Sequence, residues 1–375
     1  MGSISRKTVA WAAGAALTVG GCTAGIVIAA QGGGTSNSST SGTSAAHAAA
    51  KPVPLRLVSI SPASGAQAVD GAGTVTVTYN RPLPASAPLP TLSPAIAGSW
   101  QRTGDAVIFA PTTGFVAGTR VTVTVAGTGD SRLRSESSSF KTGDFSTLRL
   151  QEILGQLGYL PLTWTPAFGA AVPTGSAAAQ LAAAYAPPPG TFQWQHGYPA
   201  QLYSFWSEGK ANSLDRGAIT GFEADHGLPT DGVAGPAVWK ALLAAAANDQ
   251  RNTHGYSYAI ASERVPETLT IWHDGREVFS SFANTGIPVS PTGTGTFPVY
   301  EKLPFQIMQG TNPDGSHYAD PVSWVSYFEG GDAVHYFDRG SYGWPQSLGC
   351  VELPYTAAKE AYPYLPYGTL VTVTA

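Results

Sequence analysis

Cysteine is almost missing from this chain: 375 residues carry only Cys22 and Cys350. Cys22 lies in an apolar N-terminal stretch, so the remainder has one thiol and no intrachain disulfide. Charge is scarce as well, at 12% of residues, about half the usual share. The formal net charge is −4, and no basic cluster follows Arg6-Lys7, which leaves nothing to suggest nucleic-acid binding. None of the histidines is closely paired with another. There is no His-Glu-x-x-His and no Cys-x-x-Cys, which argues against a metal site, and no cofactor is expected. After about Ala247 long-helix periodicity is absent, apart from a short stretch near Ala357 to Tyr362. Gly, Pro, Ser, Thr and Ala take the place of the missing charge, a composition suited to turn-rich β structure in an exported protein.

The chain divides by pattern. Thr8 to Ala30 is uncharged and mostly apolar behind Arg6 and Lys7, long enough to cross a bilayer with the remainder outside. Val19-Gly20-Gly21-Cys22 also resembles a lipoprotein processing site, which would place lipid on Cys22, and an ordinary cleaved signal is the third possibility. All three export the protein. Residues 1–30 are therefore assigned to an anchor or lipoprotein signal, and residues 31–51, rich in Gly, Ser, Thr and Ala, to a flexible tether.

Residues 52–142 alternate as strands: Val75, Val77 and Tyr79 against Thr74, Thr76 and Thr78, then Val107-Ile108-Phe109, then Val121, Val123 and Val125 against threonines. Several short strands between Pro/Gly turns predict an all-β sandwich. From Asp144 the period changes. Leu150, Ile153, Leu154 and Leu157 share one helical face. Leu214, Ala218, Ile219 and Phe222 repeat the pattern, and Pro236 opens a third helix carrying Val238, Trp239, Leu242 and Leu243. A Pro/Ala-rich insertion at about 161–205 separates the first two helices within a unit spanning 143–250. Residues 256–375 return to β structure, opening with Leu269–Trp272 and Val278–Phe282 around the hairpin pair Asp274-Gly275.

The chemistry concentrates near the C-terminus, in Ser347-Leu348-Gly349-Cys350-Val351-Glu352 with His335 fifteen residues upstream. A thiol attacks as the thiolate, and an imidazole within reach can take its proton and return it. Gly349 lets the backbone approach a reacting carbonyl, so the amides of Gly349 and Cys350 are candidates to hold an oxyanion. The pattern points to a cysteine acyl-transfer site.

These motifs carry three resemblances. Ile60-Ser61-Pro62 and Gly118-Thr119 resemble a bacterial Ig-like domain. Leu157-Gly158-Tyr159, Phe222, Gly227-Leu228, Asp231-Gly232-Val233-Ala234-Gly235 and Trp239 resemble a three-helix peptidoglycan-binding domain. Ser290-Pro291-Thr292-Gly293-Thr294-Gly295-Thr296-Phe297, Val334-His335 and Ser347-Leu348-Gly349-Cys350-Val351 resemble the mainly β catalytic domain of L,D-transpeptidases. In that family histidine is usual at the position of Leu348, and asparagine or arginine at that of Glu352. The last resemblance implies that Cys350 forms a thioester with a peptidoglycan stem peptide, with His335 as base and acid. An amine of a second stem would then close a 3–3 cross-link. Ser347 is assigned to the oxyanion side, and Tyr318, Trp324, Tyr336 and Glu352 to the substrate groove. Water as acceptor makes the enzyme an L,D-carboxypeptidase; a degenerate site makes it a non-catalytic wall-binding protein. Expected partners are stem peptides, glycan and the membrane, for a monomer held at the outer face of the cytoplasmic membrane.

Overall fold

The computed structural model describes residues 54–112, 114–127 and 135–375. The anchor or signal, the tether and Cys22 lie outside these residues. Among the described residues no helix is long and apolar enough to cross a membrane.

The alternating Val/Thr segments form two sheets over one core. Leu57–Ser61, Val75–Tyr79, Ala106–Pro111 and Gly98–Thr103 are neighbours in that order, and Thr91–Ser93, Arg120–Val125 and Glu136–Lys141 form the second sheet. Val75, Val77, Tyr79 and Val107 from one sheet meet Val121, Val123, Val125 and Phe140 from the other, all buried. The threonines between them are only partly buried. A period of two has been converted into a sandwich with one dry face per sheet. Glu136–Lys141 was not among the expected strands, because Ser137, Ser138 and Ser139 give it no apolar alternation.

Three helices follow where the 3.6-residue period predicts them. Thr147–Gln156 is capped by Ser146, whose hydroxyl accepts from Arg149 N. Ser213–Asp225 opens with a capping box between Asn212 and Asp215. Pro236–Asn248 carries its proline in the first turn. The insertion is structured: strands Leu162–Pro166 and Gly190–Trp194 pair antiparallel, with helix Ala177–Tyr185 between them. Its aromatics pack inward. Trp194 lies 4.4 Å from Tyr203 and Trp206 lies 5.0 Å from Phe192, between ring centroids, and all four border the helical core.

That helical core does not close on itself. Tyr256, Tyr258 and Leu370, from the following β region, are buried within it alongside Leu154, Leu214 and Phe222. Gly217 lets helix Ser213–Asp225 come so close to Gly368 O and Leu370 that a Cβ there would crowd both. A helical module ending at residue 250 was expected; what is observed is a set of helices sharing its core with the sheet that follows.

The C-terminal region has two sheets. Arg276–Phe282, Thr268–His273, Ser257–Ser262, Leu370–Thr374 and Gly295–Pro298 form the first; Glu301–Thr311, His317–Glu329, Asp332–Tyr336 and Val351–Leu353 form the second. Asp274 and Gly275 both take positive φ in the expected hairpin. Alternation along Ser257–Ser262 splits its side chains between two cores. Tyr258 goes to the helices, whereas Ala259 and Ala261 go to an inter-sheet core with Ile271, Val334, Val351 and Leu353. The layers therefore run helices, five-stranded sheet, four-stranded sheet. The outer face of the last sheet borders a groove.

Candidate active site

The strand Asp332–Tyr336 pairs in parallel with Val351–Leu353, Val334 opposite Val351 and His335 opposite Glu352. Side chains alternate along both strands. Val334, Val351 and Leu353 turn into the inter-sheet core. Ala333, His335, Cys350 and Glu352 turn the other way, and His335, Cys350 and Glu352 border one groove of about 470 Å³. Cys350, one residue before its strand, is thus the diagonal neighbour of His335 on the same face.

His335 is buried and oriented. Its Nδ1 lies 2.9 Å from Tyr336 O, so Nδ1 carries the proton it donates to that carbonyl, and Nε2 keeps the lone pair. Burial lowers the imidazole pKa, opposed by the Tyr336 carbonyl and by Glu352; Arg339 adds to the lowering. Cys350 is half-buried, and its sulfur lies 3.8 Å from Gly331 O. Burial pushes the thiol up to about 12, the amide of Ala333 opposes, and the Asp332 and Glu352 carboxylates add to the rise. Both shifts favour the neutral forms, thiol over thiolate and imidazole over imidazolium.

The loop before the sulfur is closely tied. Ser347 Oγ accepts from Gly349 N at 3.2 Å and donates to Cys350 O at 2.6 Å. Ser290 Oγ donates to Leu348 O at 2.9 Å. Gly349 has φ +123°, and a Cβ there would collide with the Asp332 carboxylate. Asp332 in turn accepts from Gly293 N at 3.0 Å, so the Ser290–Phe297 loop is drawn onto the thiol loop. Burial pushes Asp332 up to about 6, with the Gly293 amide opposing and Glu329 adding. Because the Gly349 amide is engaged by Ser347, the Cys350 amide is the better placed of the two expected oxyanion donors.

Of the expected groove residues, Tyr318 and Glu352 border the cavity. Trp324 and Tyr336 do not. Both pack on the opposite face against the inter-sheet core, Tyr336 5.1 Å and Trp324 6.5 Å from the ring of Tyr355. For Tyr336, next to His335 on one strand, alternation puts the ring on the opposite face; for Trp324 spacing gave no parity, because irregular register near Ser323–Ser326 breaks the alternation of the long strand. Arg339 and Asp332 were not among the sequence candidates, yet both line the groove. Arg339 grips Glu352 with Nε and Nη2, each at 2.8 Å. Its signal lay in Glu352 itself: a carboxylate beside a thiol calls for a cation.

Two stretches of the chain match known families. Residues 257–373 match the L,D-transpeptidase catalytic domain. Residues 51–147 match the bacterial Ig-like domain. Both groove-lining His335 and Cys350 fall inside the transpeptidase match. Among solved structures, an L,D-transpeptidase from Mycobacterium smegmatis is 16% identical, covering 86% of this chain and 100% of its own, with a TM-score of 0.30. L,D-transpeptidase 3 from Mycobacterium tuberculosis, in complex with a faropenem-derived adduct, is 16% identical over 85% of this chain and 98% of its own, TM-score 0.30. The catalytic domain of an E. faecium L,D-transpeptidase is 26% identical over 33% of this chain and 100% of its own, TM-score 0.30. No curated protein matches. The helical segment lies between the two matched regions.

Proposed function

We propose that this chain is a cysteine L,D-transpeptidase of peptidoglycan. The observation that supports it most directly is the placement of Cys350 and His335 on one sheet face and one groove, inside the region matching the transpeptidase catalytic domain. The sulfur attacks the carbonyl carbon of the third residue of a stem tetrapeptide while His335 Nε2 takes the thiol proton. The Cys350 amide holds the oxyanion. The C–N bond breaks, D-alanine departs with the proton returned by His335, and a thioester remains on Cys350. The side-chain amine of a neighbouring stem attacks that thioester, losing its proton to His335. The thiol re-forms and the product is a 3–3 cross-link. The catalytic domain works outside the cytoplasmic membrane, held there through residues 8–30 or through lipid on Cys22, and acts as a monomer.

Intact mass after meropenem treatment tests the reading. The wild type should gain the mass of one meropenem and Cys350→Ala should gain none. A wild type that remains unmodified overturns it. Product analysis on a disaccharide-tetrapeptide separates cross-linking from hydrolysis: dimers are expected, and tripeptide alone would make the enzyme an L,D-carboxypeptidase.

A further inference from the structure

The charges around the groove are lopsided. Asp320, Asp332 and Glu352 line it, and against these Arg339 is the one Lys or Arg among its described lining residues. An acidic groove repels an anion everywhere except where a cation has been fixed. Arg339 is fixed with care. Its Nε and Nη2 each donate to Glu352 at 2.8 Å, and Nη2 also donates to Gln346 O at 3.0 Å. Its guanidinium carbon sits 4.6 Å from the centroid of the Phe337 ring, and its own amide is held by Tyr342 OH. Tyr342 OH donates in turn to Phe337 O at 2.7 Å. Those contacts use three of the five guanidinium N–H groups. The two on Nη1 have no hydrogen-bond partner among the described residues.

Position along the sheet says what those two donors face. On the outward face Cys350 comes first, His335 is its diagonal neighbour, and Glu352, opposite His335, carries Arg339. A bound peptide meets these groups in the order of its own atoms: the acyl carbon at the sulfur, the leaving nitrogen at the imidazole, and the next polar group at the guanidinium. In a stem tetrapeptide the group following the leaving nitrogen is the α-carboxylate of the departing residue. We propose that Arg339 binds this carboxylate through Nη1 and so sets the specificity of the donor site for a chain-terminal residue, with Glu352 as a positioning residue that holds the guanidinium. This rests on the transpeptidase reading and deepens it. It also gives Glu352 a purpose: the side chain that stands beside the thiol with the wrong charge for a substrate carboxylate recruits the right one from the neighbouring loop.

The test compares two donors, a stem tetrapeptide ending in a free D-alanine carboxylate and the same peptide ending in the D-alanine amide. Thioester formation on the full chain is followed by rapid-quench mass spectrometry. The ratio of the two rates is internal to each variant, so a partly unfolded preparation does not alter it. The wild type should prefer the free acid by roughly 10- to 100-fold, the range of a charge-assisted hydrogen bond pair. Removing Arg339 alone would strand a buried Glu352 carboxylate, so the decisive variant is Arg339→Gln with Glu352→Gln. There the ratio should fall to near 1, with the loss in kcat/KM for the free acid. Arg339→Lys should recover part of the preference. An unchanged ratio in the double variant overturns the assignment of Arg339 while leaving the transpeptidase intact. A wild type that forms no thioester from either peptide overturns the transpeptidase reading itself, and this inference with it.

Discussion

Cys350 sits in surroundings that oppose its ionisation. Burial does most of this, and the Asp332 and Glu352 carboxylates add to it. Thiol reactivity follows thiolate character, so these surroundings slow both oxidation and alkylation of the sulfur. Asp332 is the part of this arrangement that a single substitution can remove. Asp332→Asn keeps an oxygen acceptor for the Gly293 amide but discards the negative charge beside the sulfur. The thiol should then ionise at lower pH, so iodoacetamide should alkylate the variant several-fold faster than wild type between pH 8 and 9. Equal rates across that range would mean that Asp332 acts only as a structural acceptor for Gly293 and a neighbour of Gly349.

At the scale of elements, the short strand Val351–Leu353 has Asp332–Tyr336 on one side and a single residue, Asn284, on the other. Asn284 N donates to Glu352 O and Glu352 N donates to Asn284 O, both at 2.9 Å. Its buried side chain then ties down the loop that bears Arg339. Oδ1 accepts from Gly343 N at 3.0 Å and from Gln346 Nε2 at 3.2 Å. Glu267 reinforces the same corner, with both oxygens accepting from Thr285. Asn284→Ala leaves the Gly343 amide without that acceptor. Urea unfolding should show a loss of about 1–3 kcal/mol, accompanied by slower acyl-enzyme formation as the Arg339 loop loosens. Stability lost with no change in acylation would separate this loop from the chemistry. The far end of the neighbouring strands was readable in advance. The turn residues of Asp274-Gly275 and the strands around them were legible from period and turn chemistry. The Asn284 staple was not, because a buried asparagine has no sequence periodicity and its partners are 57 to 68 residues distant.

For the whole molecule, the helix Ser213–Asp225 that shares a core with the five-stranded sheet carries two buried acids. Asp215 and Glu223 are both buried, and Asp215 Oδ1 and Glu223 Oε1 have no hydrogen-bond partner. Burial pushes each up to about 7; Gln151 and Asn212 oppose at Asp215, and the Gly232 amide opposes at Glu223. The unfolded chain releases these protons near pH 4, whereas the folded chain keeps them to about 7. Within that window the folded state binds more protons, so these two groups make the unfolding free energy fall as pH rises from 4 towards 7, with no further change from them above it. The thermal midpoint should accordingly be higher at pH 5.5 than at pH 7.5. The difference should shrink in Asp215→Asn combined with Glu223→Gln. An undiminished difference in that variant would assign the pH dependence to other groups, Asp332 first among them.

The Val/Thr alternation, the three helical stripes and the Asp274-Gly275 hairpin are local patterns, each set by a period or by residue types within a few positions, so the sequence by itself determined them. Which face of the sheet each side chain took, and which loop came to lie beside the thiol, depended on pairing between strands distant in the chain. That is why Trp324 went to the core and Arg339 to the groove. The join of helices to the five-stranded sheet was decided the same way, by Tyr258 and Leu370 turning outward where their neighbours turned in. Local pattern specifies elements; the charge and shape of the groove came only when non-local pairing set those elements side by side.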